Sequence, residues 1–270
     1  MSIDNAIIPT NDLIEQVLAI TETPQLQEFE GPVITPPRDT VVDLPGGYVS
    51  ATGEFTREAE VRELTGRDEE VISKANSLHK VLQAVLTRGV VRIGESTQIT
   101  ESMINGLLAG DRDYLLTHIY AATFGSEIEL TQYCPKCEAP VDLKIDVLTN
   151  APVVRLENPS DRRFTVACSI GDVTVDLPTG YTQKELFTAG DKTLAELSTI
   201  LLANTVIQVN GRPVIGRNTV LDLPIKDRRA INDALVEHAM GPQLGDCKAD
   251  CPLCETTLEV PLSTANLFQF

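Results

Sequence analysis

Four of the six cysteines fall into two matching strings, Cys134-Pro135-Lys136-Cys137 and Cys251-Pro252-Leu253-Cys254. A C-x-x-C string on a tight turn presents two thiolates to one metal ion, with turn amides bonding the sulfurs and the proline stiffening the loop. A structural zinc site takes four such ligands. Each string supplies two, so the expectation is one structural zinc held by Cys134, Cys137, Cys251 and Cys254, closed where the two knuckles face each other about a pseudo-twofold. Two other readings stand beside it: reduced turns that hold nothing, or one disulfide within each pair. A thioredoxin-type redox role lacks its βαβ setting. Cys247-x-x-x-Cys251-x-x-Cys254 has the iron–sulfur spacing of radical-SAM enzymes, but there a large barrel follows the motif, and here only sixteen residues follow Cys254. Cys168 and Cys247 read as a buried apolar thiol and a loop thiol.

The remaining residues that could do chemistry are scattered. His79 is expected on the polar side of a helix. His118 and His238 fall late in corresponding helices, four places out of register. The chain contains no P-loop, no G-x-G-x-x-G and no G-x-S-x-G. Asp111-Arg112-Asp113 and Asp227-Arg228-Arg229 read as the starts of equivalent helices, the aspartates as caps, the arginines as bridges to the neighbouring copy or as surface groups. The expectation is a protein that is not an enzyme.

The elements that must position the cysteines come twice. Leu107-x-x-x-Asp111-Arg112 matches Leu223-x-x-x-Asp227-Arg228, and Val90-Val91-Arg92-Ile93 matches Val206-Ile207-Gln208-Val209. Val81-Leu82-x-x-Val85-Leu86 matches Leu197-x-x-x-Leu201-Leu202, and the three matches share an offset of 116. The most literal repeat, Val42-Asp43-Leu44-Pro45 and Val175-Asp176-Leu177-Pro178, sits at 133 and breaks that offset. It is read as partly a decoy, with Leu64-Thr65-Gly66 as the true counterpart of the segment at Thr179-Gly180. Each copy then reads as a β-hairpin, helices, a short strand, another helix and a Cys knuckle.

In copy one, Val41–Leu44 and Phe55–Leu64 are expected as strands across a Gly-rich turn. Thr65 or Asp68 caps a helix that runs at helical spacing from Val71 to Leu86. In copy two, Thr182 and Glu185 form a capping box, and Asn210-Gly211 marks a hairpin turn. The fold class expected is α+β, two tandem copies of this unit with extended arms. The boundaries are 1–39 for an N-terminal arm, 40–149 for copy one, 150–163 for a linker, 164–262 for copy two and 263–270 for a C-terminal tail. The arm and the tail tip at Phe268 and Phe270 are expected to order only against partners.

Composition narrows the partners. The 270 residues are 42 % hydrophobic and 23 % charged, ordinary for a globular chain. Asp and Glu number 39 against 22 Lys and Arg, a net charge of −17 that repels phosphate backbones, so free nucleic acid is not an expected partner. No apolar run approaches the roughly 20 residues of a membrane span, and the N-terminus lacks a secretory pattern. With no Trp, five Tyr and seven Phe there is little surface for stacking sugars or bases.

Val61-Arg62-Glu63-Leu64-Thr65-Gly66-Arg67-Asp68-Glu69-Glu70, after a hairpin containing Leu-Pro-Gly-Gly, resembles the entry segment of the T-even-like phage baseplate hub and hub-assembly-chaperone family of contractile tail systems. Members often carry a CPxC knuckle late in the chain. The resemblance covers roughly residues 40–147 and, more weakly, 164–262. It implies a non-catalytic structural protein of a contractile tail baseplate, a hub or adaptor subunit that contacts other baseplate, hub or tail proteins. The alternative is a transient hub-assembly chaperone. It also implies assembly in the host cytoplasm and a final place in the virion.

Overall fold

Apolar Val42 and Leu44 at alternate positions turn one face of the first strand, β1 (Asp39–Val49), into the core, and the chain turns back into β2 (Phe55–Arg62). The computed structural model describes residues 39–50, 52–214 and 216–268. The arm expected over 1–39, apart from its last residue, and Phe270 of the tail lie outside the described residues. The Gly-rich segment is not the turn. β1 continues through Gly46 and Gly47, and a bulge between Asp43 and Tyr48 absorbs the irregularity in its pairing with β2. The two glycines are needed for different reasons. Gly47 has a φ of +78°, and a Cβ on Gly46 would come 2.7 Å from both Leu108 and Met240.

Thr65 is the N-cap of α1 (Gly66–Ile72), and Asp68 closes the box: the Thr65 amide and hydroxyl each donate to its Oδ2 at 2.9 Å. The Arg62 and Arg88 guanidiniums also pair with this carboxylate. Burial works to raise the Asp68 pKa, but these hydrogen bonds overcome it and hold the group well below the usual carboxylate range. The single helical run read from Val71 to Leu86 is broken over 73–77, and α2 spans Leu78–Gly89. β3 (Val90–Ile93) returns to β2, giving the order β1-β2-β3. α3 (Glu101–Gly106) and α4 (Ala109–Phe124) follow, and Gly125 at φ +93° stops α4 as the sequence indicates. Val61, Val85, Leu86, Ile104, Leu115 and Ile119, all fully buried, fill the space between this sheet and the helices. β4 (Glu127–Cys134) and β5 (Ala139–Asp146) form a separate ribbon.

After a short β6 (Val153–Val154), the order returns: hairpin β7 (Arg163–Cys168) and β8 (Gly171–Asp176), α5 (Gly180–Phe187), α6 (Leu194–Thr205) and β9 (Val206–Val209). Asn210 and Gly211, both at positive φ, turn β9 into β10 (Arg212–Pro213). Then come α7 (Arg217–Leu221), α8 (Ile225–Glu237), β11 (Gly241–Pro242), β12 (Lys248–Asp250) and β13 (Thr257–Glu259). The second sheet runs β10-β9-β8-β7, and β11 pairs with β6. The fold is α+β.

Several single contacts in residues 163–237 parallel contacts in residues 39–124. β2 pairs with β3 through Val61 and Val90, next to a register shift after Glu60. β8 pairs with β9 through Val175 and Val206, next to a register shift after Thr174. Arg112 donates to the carbonyl of Ile104 and to Gln83; Arg228 donates to the carbonyl of Val220 and to Thr199. Both arginines therefore brace their own half, reaching partners 8 and 29 residues back. The literal Val-Asp-Leu-Pro repeat falls inside β1 in one half and at the end of β8 in the other. Thr65 and Thr179 are both N-caps.

Three further expectations change. Asp111 and Asp227 are not N-caps; Leu108 and Pro224 are, and the aspartates stand in the first turn. There they accept from the hairpin of their own half, Asp111 from the Gly46 amide at 2.7 Å and Asp227 from the Ser169 amide at 2.8 Å. The second capping box is Thr179 with Thr182, not Thr182 with Glu185. The tail tip is not free: α9 (Thr264–Leu267) brings Phe268, 3 % exposed, into the first core with its ring edge-on to Tyr120. An apolar tip on a polar tail is a core element when the chain returns to the body that it left.

Candidate metal centre

The alternation Val141, Leu143, Ile145 in β5 buries one face of the first ribbon against Leu258 and Val260 from the second. That packing places the two knuckles opposite each other. Cys134 ends β4, and Cys137 lies in the turn before β5. Cys251 and Cys254 lie in the corresponding turn between β12 and β13. Each turn closes in the same way: the Glu138 amide donates to the Cys134 carbonyl at 2.9 Å, and the Glu255 amide to the Cys251 carbonyl at 2.8 Å. Glu138 and Glu255 have φ of +53° and +56°, the left-handed conformation that glycine adopts more readily. Both strings read Cys-Pro-x-Cys-Glu, so the shared glutamate was the available signal for this turn. Sequence reasoning stopped at the cysteines.

All four Sγ atoms lie within 4.8 Å of one another. Cys134 and Cys254 are 3.7 Å apart and Cys137 and Cys251 3.8 Å, each close contact joining one half to the other. Four thiolates around one ion at metal–sulfur distances of about 2.3 Å require sulfur–sulfur separations of about 3.8 Å in a tetrahedron. The donor set therefore fits a single tetrahedral metal ion. All six cysteines are free thiols, so the pairing within each string as a disulfide is not formed.

Crowding polarises the thiols. The Thr256 hydroxyl and amide pull Cys254 down to about 6. Hydrogen bonding to Cys254, with burial, pushes Cys137 up to about 12. A bound cation would favour the thiolate at every position. Two contacts outside the sulfurs lock the knuckles together: Gln132 Nε2 donates to the Glu259 carbonyl at 2.9 Å, and Lys136 Nζ to the Cys254 carbonyl at 3.5 Å. Neither was singled out from sequence.

The other thiols stay apart from this cluster. Cys247, read as a loop thiol, is fully buried just before β12, while Cys168 at the end of β7 is the half-buried one; burial raises both pKa values. His79 lies on the buried side of α2, 6 % exposed, with its ring facing Phe187 of α5. Contact with α5, which packs over that side of α2, is what reverses the expectation. His118 packs on Tyr114, and its pKa falls to about 4 through burial and the nearby Arg155. His238 stacks flat on Phe164 at 4.0 Å. The histidines are thus in three separate packing environments. Among the described residues, no helix is long and apolar enough to cross a membrane.

A family model described as T4 bacteriophage base plate protein matches residues 49–210. No curated protein matches the chain, and no solved structure does.

Proposed function

The chain belongs to the T4 bacteriophage base plate protein family, and from that premise we propose that it is a non-catalytic hub or adaptor subunit of a contractile tail, a duplicated unit stapled by one zinc ion. Family membership makes it a phage baseplate protein, with a place in the virion tail baseplate among other baseplate proteins. The observation that carries the finer reading is the meeting of four thiols, two from each half, at tetrahedral separations. A thiolate-only tetrahedral set suits zinc, which carries no redox chemistry and in closed sites serves structure. When bound, the ion would tie the ribbon that ends the first half to the ribbon that ends the second. Metal affinity then becomes folding stability, of order 10 kcal/mol in small zinc domains and less in a chain that has its own core. The matching element order and the paired contacts of Arg112 and Arg228 support the duplication.

Two measurements test this. A mass-spectrometric inventory of purified mature virions should contain the chain; finding it only in assembling lysates would make it a transient assembly chaperone instead. Elemental analysis should find one zinc per chain. Cys134→Ser and Cys251→Ser should each abolish it, with the double variant little worse in thermal melts than either single one. Half the zinc retained in a single variant would mean two separate sites.

A further inference from the structure

The two halves touch through a short backbone bridge. Leu108 and Thr179 pair antiparallel: the Ala109 amide donates to the Pro178 carbonyl at 2.8 Å and the Gly180 amide to the Leu107 carbonyl at 3.0 Å. Gly180 sits so close that a Cβ there would overlap the Arg112 guanidinium. Beside the bridge, Lys184 pairs with Glu101 at 3.2 Å, and the Tyr181 hydroxyl lies 3.1 Å from Ser102 Oγ.

Each part of this contact has a counterpart elsewhere in the chain, and the counterparts do not meet. α1 presents Leu64-Thr65-Gly66 where α5 presents Pro178-Thr179-Gly180, each with its threonine as N-cap. α8 presents Leu223-Pro224-Ile225 where α4 presents Leu107-Leu108-Ala109, each with its middle residue as N-cap. Around Gly66 there is open space. Asn105 in the first half is 2 % exposed under α5, whereas Leu221, in its place in the second half, is 53 % exposed. Its neighbours Leu194 and Ile225 are 86 % and 73 % exposed, an uncovered apolar corner at the ends of α6, α7 and α8. Among the described residues, the Leu64 carbonyl, the Gly66 amide, the Leu223 carbonyl and the Ile225 amide have no hydrogen-bond partner. These are the four groups that correspond to those paired in the internal bridge. That bridge takes nothing from the amide of residue 108, so Pro224 in its place loses no donor.

Charge agrees as well. Glu70 stands where Lys184 stands, and Arg217 where Glu101 stands, so the ion pair of the internal contact recurs with its signs exchanged. Arg67 and Asn218 take the places of Tyr181 and Ser102.

We propose that a second copy of this chain docks its α1 entry, Leu64–Glu70, on the exposed α6–α7–α8 corner of the first, repeating between chains the contact that joins the halves within one. The inference rests on the duplication read above. The two surfaces differ, so the contact is head-to-tail and leaves one α1 and one corner open at each step. Such an assembly closes into a ring or runs on as an open chain, depending on the rotation per step.

Sedimentation velocity of the full chain over a concentration series tests it. The native chain should form species larger than a dimer as concentration rises. Glu70→Arg and Arg217→Glu, both surface changes, should each weaken association about tenfold or more by setting like charges opposite each other. An equimolar mixture of the two variants should recover it, because each supplies the end that the other has lost. Three results would overturn the proposal: a monomer at every concentration, a dimer that grows no further, or association indifferent to both reversals. The duplication is read separately, from superposition of the two halves in an experimental structure. Halves that superpose in a chain that does not associate would refute the docking alone.

Discussion

Asp111 is the group whose ionisation should work hardest against the fold. Its side chain is fully buried under the Gly46-Gly47 segment, with Oδ1 accepting from the Gly46 amide and Oδ2 without a partner. Burial pushes its pKa up to about 7, although the Gly46 and Gly47 amides and the Arg162 and Arg57 guanidiniums pull the other way. In the unfolded chain the carboxyl titrates near its ordinary value of about 4. The folded value is the higher, so the folded state holds the proton more tightly. The stabilising contribution is complete below about pH 4 and is lost as pH rises to about 7. Each pH unit between the two values is worth about 1.4 kcal/mol, so roughly 3 kcal/mol should disappear between pH 5 and pH 8. Asp111→Asn keeps the Oδ1 acceptor and removes the charge. The variant should gain on the native chain by about 3 kcal/mol between those two pH values. The assay is denaturant unfolding of both proteins at each pH, with zinc held constant. Other groups titrate equally in the two proteins and cancel in the difference. Parallel pH dependences for native and variant would refute the reasoning, because Asp111 would then be ionised in the fold without cost.

Two more perturbations test the packing. Phe268→Ala empties a buried site against Tyr120 and should cost about 3–5 kcal/mol in a thermal or denaturant melt, a loss that a free tail tip would not produce. Gly110→Ala would drive a Cβ into the Met240 carbonyl and should destabilise the join between α4 and β11 by several kcal/mol, read as lost amide-exchange protection at Gly241 and Val154.

Local chemistry was legible in the sequence. The cap at Thr65 and the Asn210-Gly211 turn depend on residues a few places apart. The knuckle pairs were legible for the same reason, and their meeting followed from the expectation that two like units face each other. Tertiary structure decided whatever depends on what covers a residue. α5 packs over α2 and buries His79, which its own helix left facing outward on paper. α9 folds back so that Phe268 becomes core. β1 runs on through Gly46 instead of ending there, with Leu108, Asp111 and Met240, residues 62 to 194 places away in the chain, closing on it. Turns and caps are settled by the torsions and hydrogen bonds of neighbours in the chain. Burial is settled by surfaces that meet only after the chain has folded, and no period in the sequence encodes which surface will arrive.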